Sequence, residues 1–103
     1  MKRIVKEFYE ITLNDFLMEV SGKGRTVNVS SEECKLKYAR VSLHINVTGE
    51  TLEKLTFEHG SRSIGGILHY EINYIYRILY DMELDLFIIE FKNGMSPINV
   101  KLN

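Results

Sequence analysis

A carboxylate within an apolar stripe is the first feature of this sequence that could do chemistry. Glu71 lies seven residues after Ile64 and four before Ile75, so on a helix the three side chains would share one face. A carboxyl group held in apolar surroundings can act as an acid or base in a cleft. It can equally be a structural partner of Lys37, of Arg40 or of a tyrosine hydroxyl. Both interpretations stay open, and each predicts that Glu71 is largely buried.

The segment 59–66, with the sequence HGSRSIGG, could bind an anion where it leads into a predicted helix. Free N–H groups at a helix N-terminus and the charge of Arg62 favour a phosphate or a carboxylate. The segment has neither the GxxxxGK[ST] order of a P-loop nor the GxGxxG of a dinucleotide fold, and a serine that simply caps the helix is the alternative. The candidate anion or ligand site comprises Ser61, Arg62, Ser63, His69 and Glu71.

Four side chains on the same predicted helix could bind a protein partner. Tyrosine and arginine are enriched at the centres of protein interfaces, where they combine a large contact area with hydrogen bonding. The alternative is that the tyrosines only border the core, with their hydroxyls in water. The predicted partner-binding patch comprises Tyr70, Asn73, Arg77 and Tyr80.

The three histidines and the single cysteine form no recognised catalytic or metal-binding motif. No two histidines have the i, i+4 spacing that places two imidazoles on one helix face. Cys34 can form no internal disulfide, and it lies beside Glu32 and Glu33, whose charges disfavour a reactive thiolate. We therefore predict no catalytic residue, no metal site and no cofactor.

The overall charge does not favour a polyanionic partner. The chain of 103 residues has a formal net charge of -1 and a pI near 6.3, so nucleic-acid binding would need a local basic patch. The N-terminal sequence MKRIVKEFYE does not resemble a signal peptide, and no apolar run approaches the roughly 18 residues of a membrane span. These features predict a cytoplasmic protein without membrane contact. The basic residues that could form such a patch are Lys23, Arg25, Lys35 and Lys37.

Two helices are predicted to position these residues. Residues 61–82 carry apolar side chains at helical spacing, which predicts one long amphipathic helix. Residues 12–20 predict a short helix, because Thr12 can cap its N-terminus and apolar residues follow at helical spacing.

Apolar runs and alternations predict the strands of a mainly antiparallel sheet. The parity of the apolar positions reverses near Ala39 and Arg40, which predicts a β-bulge, and Asn93-Gly94 predicts a hairpin. Residues 3–11 fit a strand or a helix, and their strong β-formers favour the strand. The predicted strands are 3–11, 25–30, 35–48, 52–58, 84–91 and 98–102.

The expected fold is α+β, with residues 1–103 as a single domain. Its sheet has about five to six strands, and the helices 61–82 and 12–20 pack on it. The residues predicted to form the core are Ile67, Leu68, Ile75, Leu43, Ile45, Phe87 and Ile89.

These features favour a non-enzymatic macromolecule-binding protein. The usage is rich in Lys, Ile, Asn and Tyr, with Ala39 as the only alanine, which is typical of AT-rich genes such as those of phages and mobile elements. An inhibitor, an immunity protein or an anti-defence protein is therefore expected, with another protein or a second copy as its partner. Two alternatives stay open. One is a small-molecule or anion-binding domain, including an enzyme, around Glu71 and the Arg62 loop; the other is a nucleic-acid-binding module.

Overall fold

The protein is a rolled antiparallel β-sheet with one α-helix against its inner face. Its structure is a computed structural model that describes residues 8–22, 24–45, 53–59 and 66–103. In chain order the elements are β1 (Phe8–Ile11), α1 (Leu13–Val20), β2 (Val27–Ser30), β3 (Lys35–Ile45), β4 (Glu53–His59), β5 (Ile67–Glu71), a 3₁₀ turn (Ile72–Tyr74), β6 (Ile75–Asp81), β7 (Leu86–Phe91) and β8 (Ile98–Leu102).

The connection from β5 to β6 determines the shape of the sheet. The strand order is β1-β6-β7-β8-β2-β3-β4-β5, so β5 at one edge is joined to the second strand from the other edge by three residues. A 3₁₀ turn of this length rises only about 6 Å, and the sheet must therefore roll until its ends approach. The ring of Tyr70 on β5 stacks on Phe91 of β7 with centroids 5.1 Å apart. The N–H of Lys92 donates to the carbonyl of Tyr74 at 2.8 Å, which joins the turn to the end of β7.

The predicted long helix over residues 61–82 is wrong. Residues 67–71 form β5, residues 72–74 form the 3₁₀ turn and residues 75–81 form β6, whereas residues 61–65 lie outside the described part of the chain. The expected α+β fold with five to six strands is corrected to a mostly β fold. Its described residues form eight strands and one α-helix.

The apolar pattern of residues 67–81 fits a strand as well as a helix. Isoleucine and tyrosine occupy many of these positions, so apolar residues recur at i+2 as well as at i+3 and i+4. Branched and aromatic side chains lose freedom in a helix and pack well on a sheet. Pairing of β5 with β4, and of β6 with β1 and β7, then favours the strand.

The short helix is confirmed. α1 begins after Thr12, whose Oγ1 accepts a hydrogen bond from the N–H of Asp15 at 3.1 Å. Phe16 and Val20 are fully buried, and the ring of Phe16 packs edge-on against Phe87 with centroids 5.2 Å apart. α1 has eight residues, and the described part of the chain contains no helix of the length and apolar character needed to cross a membrane.

The six strands predicted from the sequence correspond to β1–β4, β7 and β8. Residues 3–7, 46–48 and 52 of the predicted strands lie outside the described part of the chain. The predicted β-bulge is also present, one residue before Ala39. There β3 has one more residue than β2 between paired positions, and Tyr38 adopts a φ of 53°. The N–H of Tyr38 donates to Oδ1 of Asn28 at 3.1 Å. The bulge brings Leu36 into contact with the same core as Ala39.

The core fills the inside of the rolled sheet. Its buried apolar residues come from α1 and from β2, β3, β4, β6, β7 and β8. Two of the predicted core residues, Phe87 and Ile89, are buried. Leu68 and Ile75 are only partly buried against the core. The prediction is wrong for Ile67 and Leu43, which are exposed, and the side chain of Ile45 lies outside the described part of the chain.

Ile89→Ala is expected to lower the free energy of unfolding by about 2–5 kcal/mol, because it leaves a cavity in the core. The side chain of Ile89 is 0% exposed on the interior strand β7. Ile67→Ala removes the same atoms from a side chain that is 50% exposed on the edge strand β5, and is expected to cost less than about 1 kcal/mol. Urea denaturation measures both variants, and equal losses would contradict the assignment of the inner face.

Candidate functional site

The predicted partner-binding patch does not form one surface. Tyr70 packs against the core from β5, and Asn73 is exposed in the 3₁₀ turn. Arg77 and Tyr80 lie three positions apart on β6, and because side chains alternate along a strand they point to opposite faces of the sheet. The continuous patch depended on the helix, so partner binding stays a prediction for each residue separately.

Tyr70 lies at the border of the core. Its ring is edge-on to Phe57, with centroids 6.0 Å apart, in addition to the stack on Phe91. Burial raises the pKa of Tyr70 to about 12, and a hydrogen bond with Cys34 and the charge of Glu33 add to the shift. Tyr70 therefore stays neutral at ordinary pH and helps to hold the roll of the sheet closed.

Arg77 is paired on the outer face of the sheet. Its Nε donates to Oε1 of Glu90 at 2.7 Å, and its guanidinium lies 5.4 Å from the ring centroid of Tyr76. The hydrogen bond to Glu90 raises the pKa of Arg77. Exposed pairs of this kind add little to stability.

The structure brings together only part of the predicted anion or ligand site. Residues 61–63 lie outside the described part of the chain. His69 is exposed, and its Nδ1 lies 3.0 Å from Oγ1 of the buried Thr56. Glu71 is half-buried at the end of β5, opposite Lys54 in the register of β4. The helical apolar stripe in which Glu71 was predicted to lie is absent, because residues 67–71 form β5.

The described basic residues considered for nucleic-acid binding lie on different parts of the fold. Arg25 caps the C-terminus of α1, where its Nη1 donates to the carbonyl of Glu19 at 2.6 Å. Lys35 and Lys37 are exposed on β3, and Lys23 lies outside the described residues.

A groove of about 570 Å³ lies between α1 and one end of the inner face of the sheet. We call it the α1 groove. Its walls include Met18, which is 76% exposed, and Tyr9, which is 51% exposed. The apolar and aromatic residues that line it are Tyr9, Ile11, Met18, Tyr80, Phe87 and Leu102.

Three carboxylates line the same groove. Asp15 and Glu19 lie four residues apart on one face of α1, and Asp85 comes from the turn between β6 and β7. Among the residues that the structure describes, no basic side chain lines the groove and no salt bridge joins these carboxylates to a basic side chain. The described residues also contain no group of three or more His, Cys, Asp or Glu that could hold a metal ion. The α1 groove is therefore apolar with a negatively charged rim.

The turn between β6 and β7 positions Asp85 beside Tyr80. Asp81 is 1% exposed and accepts hydrogen bonds from the N–H groups of Glu83 and Leu84 at 3.0 and 3.2 Å. Asp85 adopts a φ of 52°, a left-handed conformation that aspartate tolerates better than most residues. It accepts a hydrogen bond from the hydroxyl of Tyr80, and this bond raises the pKa of Tyr80.

Sequence reasoning identified only Tyr80 among the residues that line the groove. The sequence carried a signal for three others: Asp15 and Glu19 form an acidic i, i+4 pair, and Met18 lies beside them off the buried face of α1. Asp85 carried no comparable signal, because its place depends on the pairing of β6 with β7.

Above pH 10, stability is expected to depend on Tyr70. Its pKa of about 12 in the folded protein exceeds the ordinary value of 10.0, so the neutral hydroxyl is favoured by folding. This stabilisation is complete below about pH 10 and is lost as the pH rises through about 12. Denaturation at about pH 9 and about pH 11.5 should therefore show a smaller loss of stability in Tyr70→Phe than in the wild type. Equal losses would show that Tyr70 is not responsible.

Glu19→Gln is expected to raise the melting temperature by about 2 °C. The substitution removes a negative charge from the last turn of α1 and from the like-charged pair with Asp15, and both effects are worth a few tenths of a kcal/mol. Glu58→Gln, at an exposed position on β4, is the matched control and should leave the melting temperature nearly unchanged. A lower melting temperature for Glu19→Gln would mean that this carboxylate supports the fold.

Comparisons of the chain with protein-family models, with curated proteins and with solved structures found no match in any of the three.

Proposed function

We propose that the protein binds another protein through the α1 groove and acts by occupying that partner, without catalysis. The observation that carries this proposal is the exposure of Met18, a large apolar side chain displayed at the wall of an apolar groove. Methionine and tyrosine are enriched at the centres of protein interfaces. Exposed apolar surface with a polar rim also marks interaction sites more often than chance.

The charge of the rim favours a protein over the other classes of partner. Phosphates of a nucleic acid would meet Asp15, Glu19 and Asp85, which disfavours their approach. Two copies of the chain placed groove to groove would bring like charges together. A different protein with a complementary surface therefore fits the groove better than a second copy.

An inhibitor, an immunity protein or an anti-defence protein would act in this way, because each blocks its target by covering a surface. The proposal includes a cytoplasmic location. It is supported by Cys34, a free and half-buried thiol of the kind that persists in a reducing compartment.

Met18→Ala is expected to weaken binding of the partner at least tenfold, which corresponds to about 1.4 kcal/mol, because it removes the exposed apolar side chain without adding a charge. Tagged wild type, Met18→Ala and Met95→Ala would serve as baits in cells of the native host, with the captured proteins quantified by mass spectrometry. Met95 is exposed in the turn between β7 and β8 and does not line the groove, so it provides the matched control. Titration calorimetry with the purified partner then gives the affinities.

The proposal requires that the partner is recovered with the wild type and with Met95→Ala and is lost with Met18→Ala. Thermal unfolding of Met18→Ala checks that the fold is intact, as expected for a substitution at an exposed position. A partner that binds Met18→Ala as tightly as the wild type would place the interface elsewhere.

A further inference from the structure

We infer that the residue anchoring the partner in the α1 groove is an arginine or a lysine. Its aliphatic stem would lie on the apolar wall, and its cationic group would meet the carboxylates of the rim. This inference rests on the proposed function and adds the chemical class of the group that the groove recognises.

The negative charge of the groove favours a cationic anchor. Asp15 and Glu19 repel each other across one helical turn, and Glu19 lies in the last turn of α1, where the helix dipole disfavours a negative charge. Arg25 is directed at backbone carbonyls of this turn and does not line the groove. A cation in the groove would complement the charge of these carboxylates.

The apolar and aromatic lining beside this charge favours a cation with a long aliphatic stem. Lysine and arginine lay their methylene stems along apolar surface while their charged ends stay near water or an anion. Tyr9 and Tyr80 are among the lining residues, and aromatic rings attract cations. A purely apolar anchor would desolvate the carboxylates without giving them a partner, which is unfavourable.

Asp85 is positioned to accept a hydrogen bond from a cationic group in the groove. The hydroxyl of Tyr80 donates to one of its oxygens, and this leaves the remaining acceptor sites of the carboxylate for a second donor. A guanidinium has five N–H donors in a fixed plane and forms strong, charge-assisted bonds with carboxylates. Asp85 is therefore held in place before a ligand arrives.

The test uses three capped tripeptides, in which arginine, glutamine or glutamate lies between two leucines. Binding to the full chain is followed by NMR through the backbone amides of Met18, Tyr80 and Asp85. The arginine peptide should bind at least about tenfold more tightly than the glutamine peptide, with the glutamate peptide weaker still. The affinity of the arginine peptide should also fall as salt is added, because salt screens the attraction between opposite charges.

Glu19→Gln should weaken the binding of the arginine peptide at least about threefold, because it removes a negative charge that the arginine contacts. The affinity of the uncharged glutamine peptide should stay unchanged. Glu58→Gln on β4 should change neither. Equal binding of the arginine and glutamine peptides in the groove would overturn the inference while the proposed function stands. Failure of the arginine peptide to shift these three amides would overturn it as well. Loss of the Met18 dependence in the capture experiment would instead overturn the proposed function.

Discussion

The three-residue connection between β5 and β6 is the constraint on which the rest of the structure depends. It joins strands that lie near opposite ends of the sheet order, so the chain can make it only if the sheet rolls up. The roll brings Tyr70 onto Phe91 and encloses the core between the two halves of the sheet. α1 packs on part of the inner face of the rolled sheet. The α1 groove lies beside this helix, between it and the neighbouring strands.

Local signals were sufficient to predict several elements. Thr12 and the apolar spacing after it predict α1, and the switch of parity near Ala39 predicts the bulge, because each depends on neighbours within a few residues. The helix prediction for residues 67–81 was wrong because their structure depends on contacts with residues distant in sequence. Their isoleucines and tyrosines satisfy both the helical and the strand period, and pairing with strands distant in sequence decides between them.

The candidate site was less accessible to sequence reasoning than the fold. Tyr80 was predicted for its residue type, but its neighbours in the groove come from β1, α1, the β6–β7 turn and β8. That assembly follows from the strand order, which a helix over residues 61–82 would have prevented. Tyr70 and Arg77 illustrate the same limit: both suit an interface by type, yet one packs against the core and the other pairs with Glu90 on the outer face.

The two faces of α1 separate the side chains that hold the helix in place from the carboxylates of the proposed binding groove. Burial of a side chain such as Phe16 or Val20 is worth about 1.5–3 kcal/mol, and both are fully buried. The repulsion between Asp15 and Glu19 and the unfavourable position of Glu19 amount to a few tenths of a kcal/mol each. The helix therefore stays in place whether or not these charges are present. Because the pair of Asp15 and Glu19 adds little to the stability of the fold, the proposed cationic ligand would give the carboxylates around the apolar groove a favourable interaction.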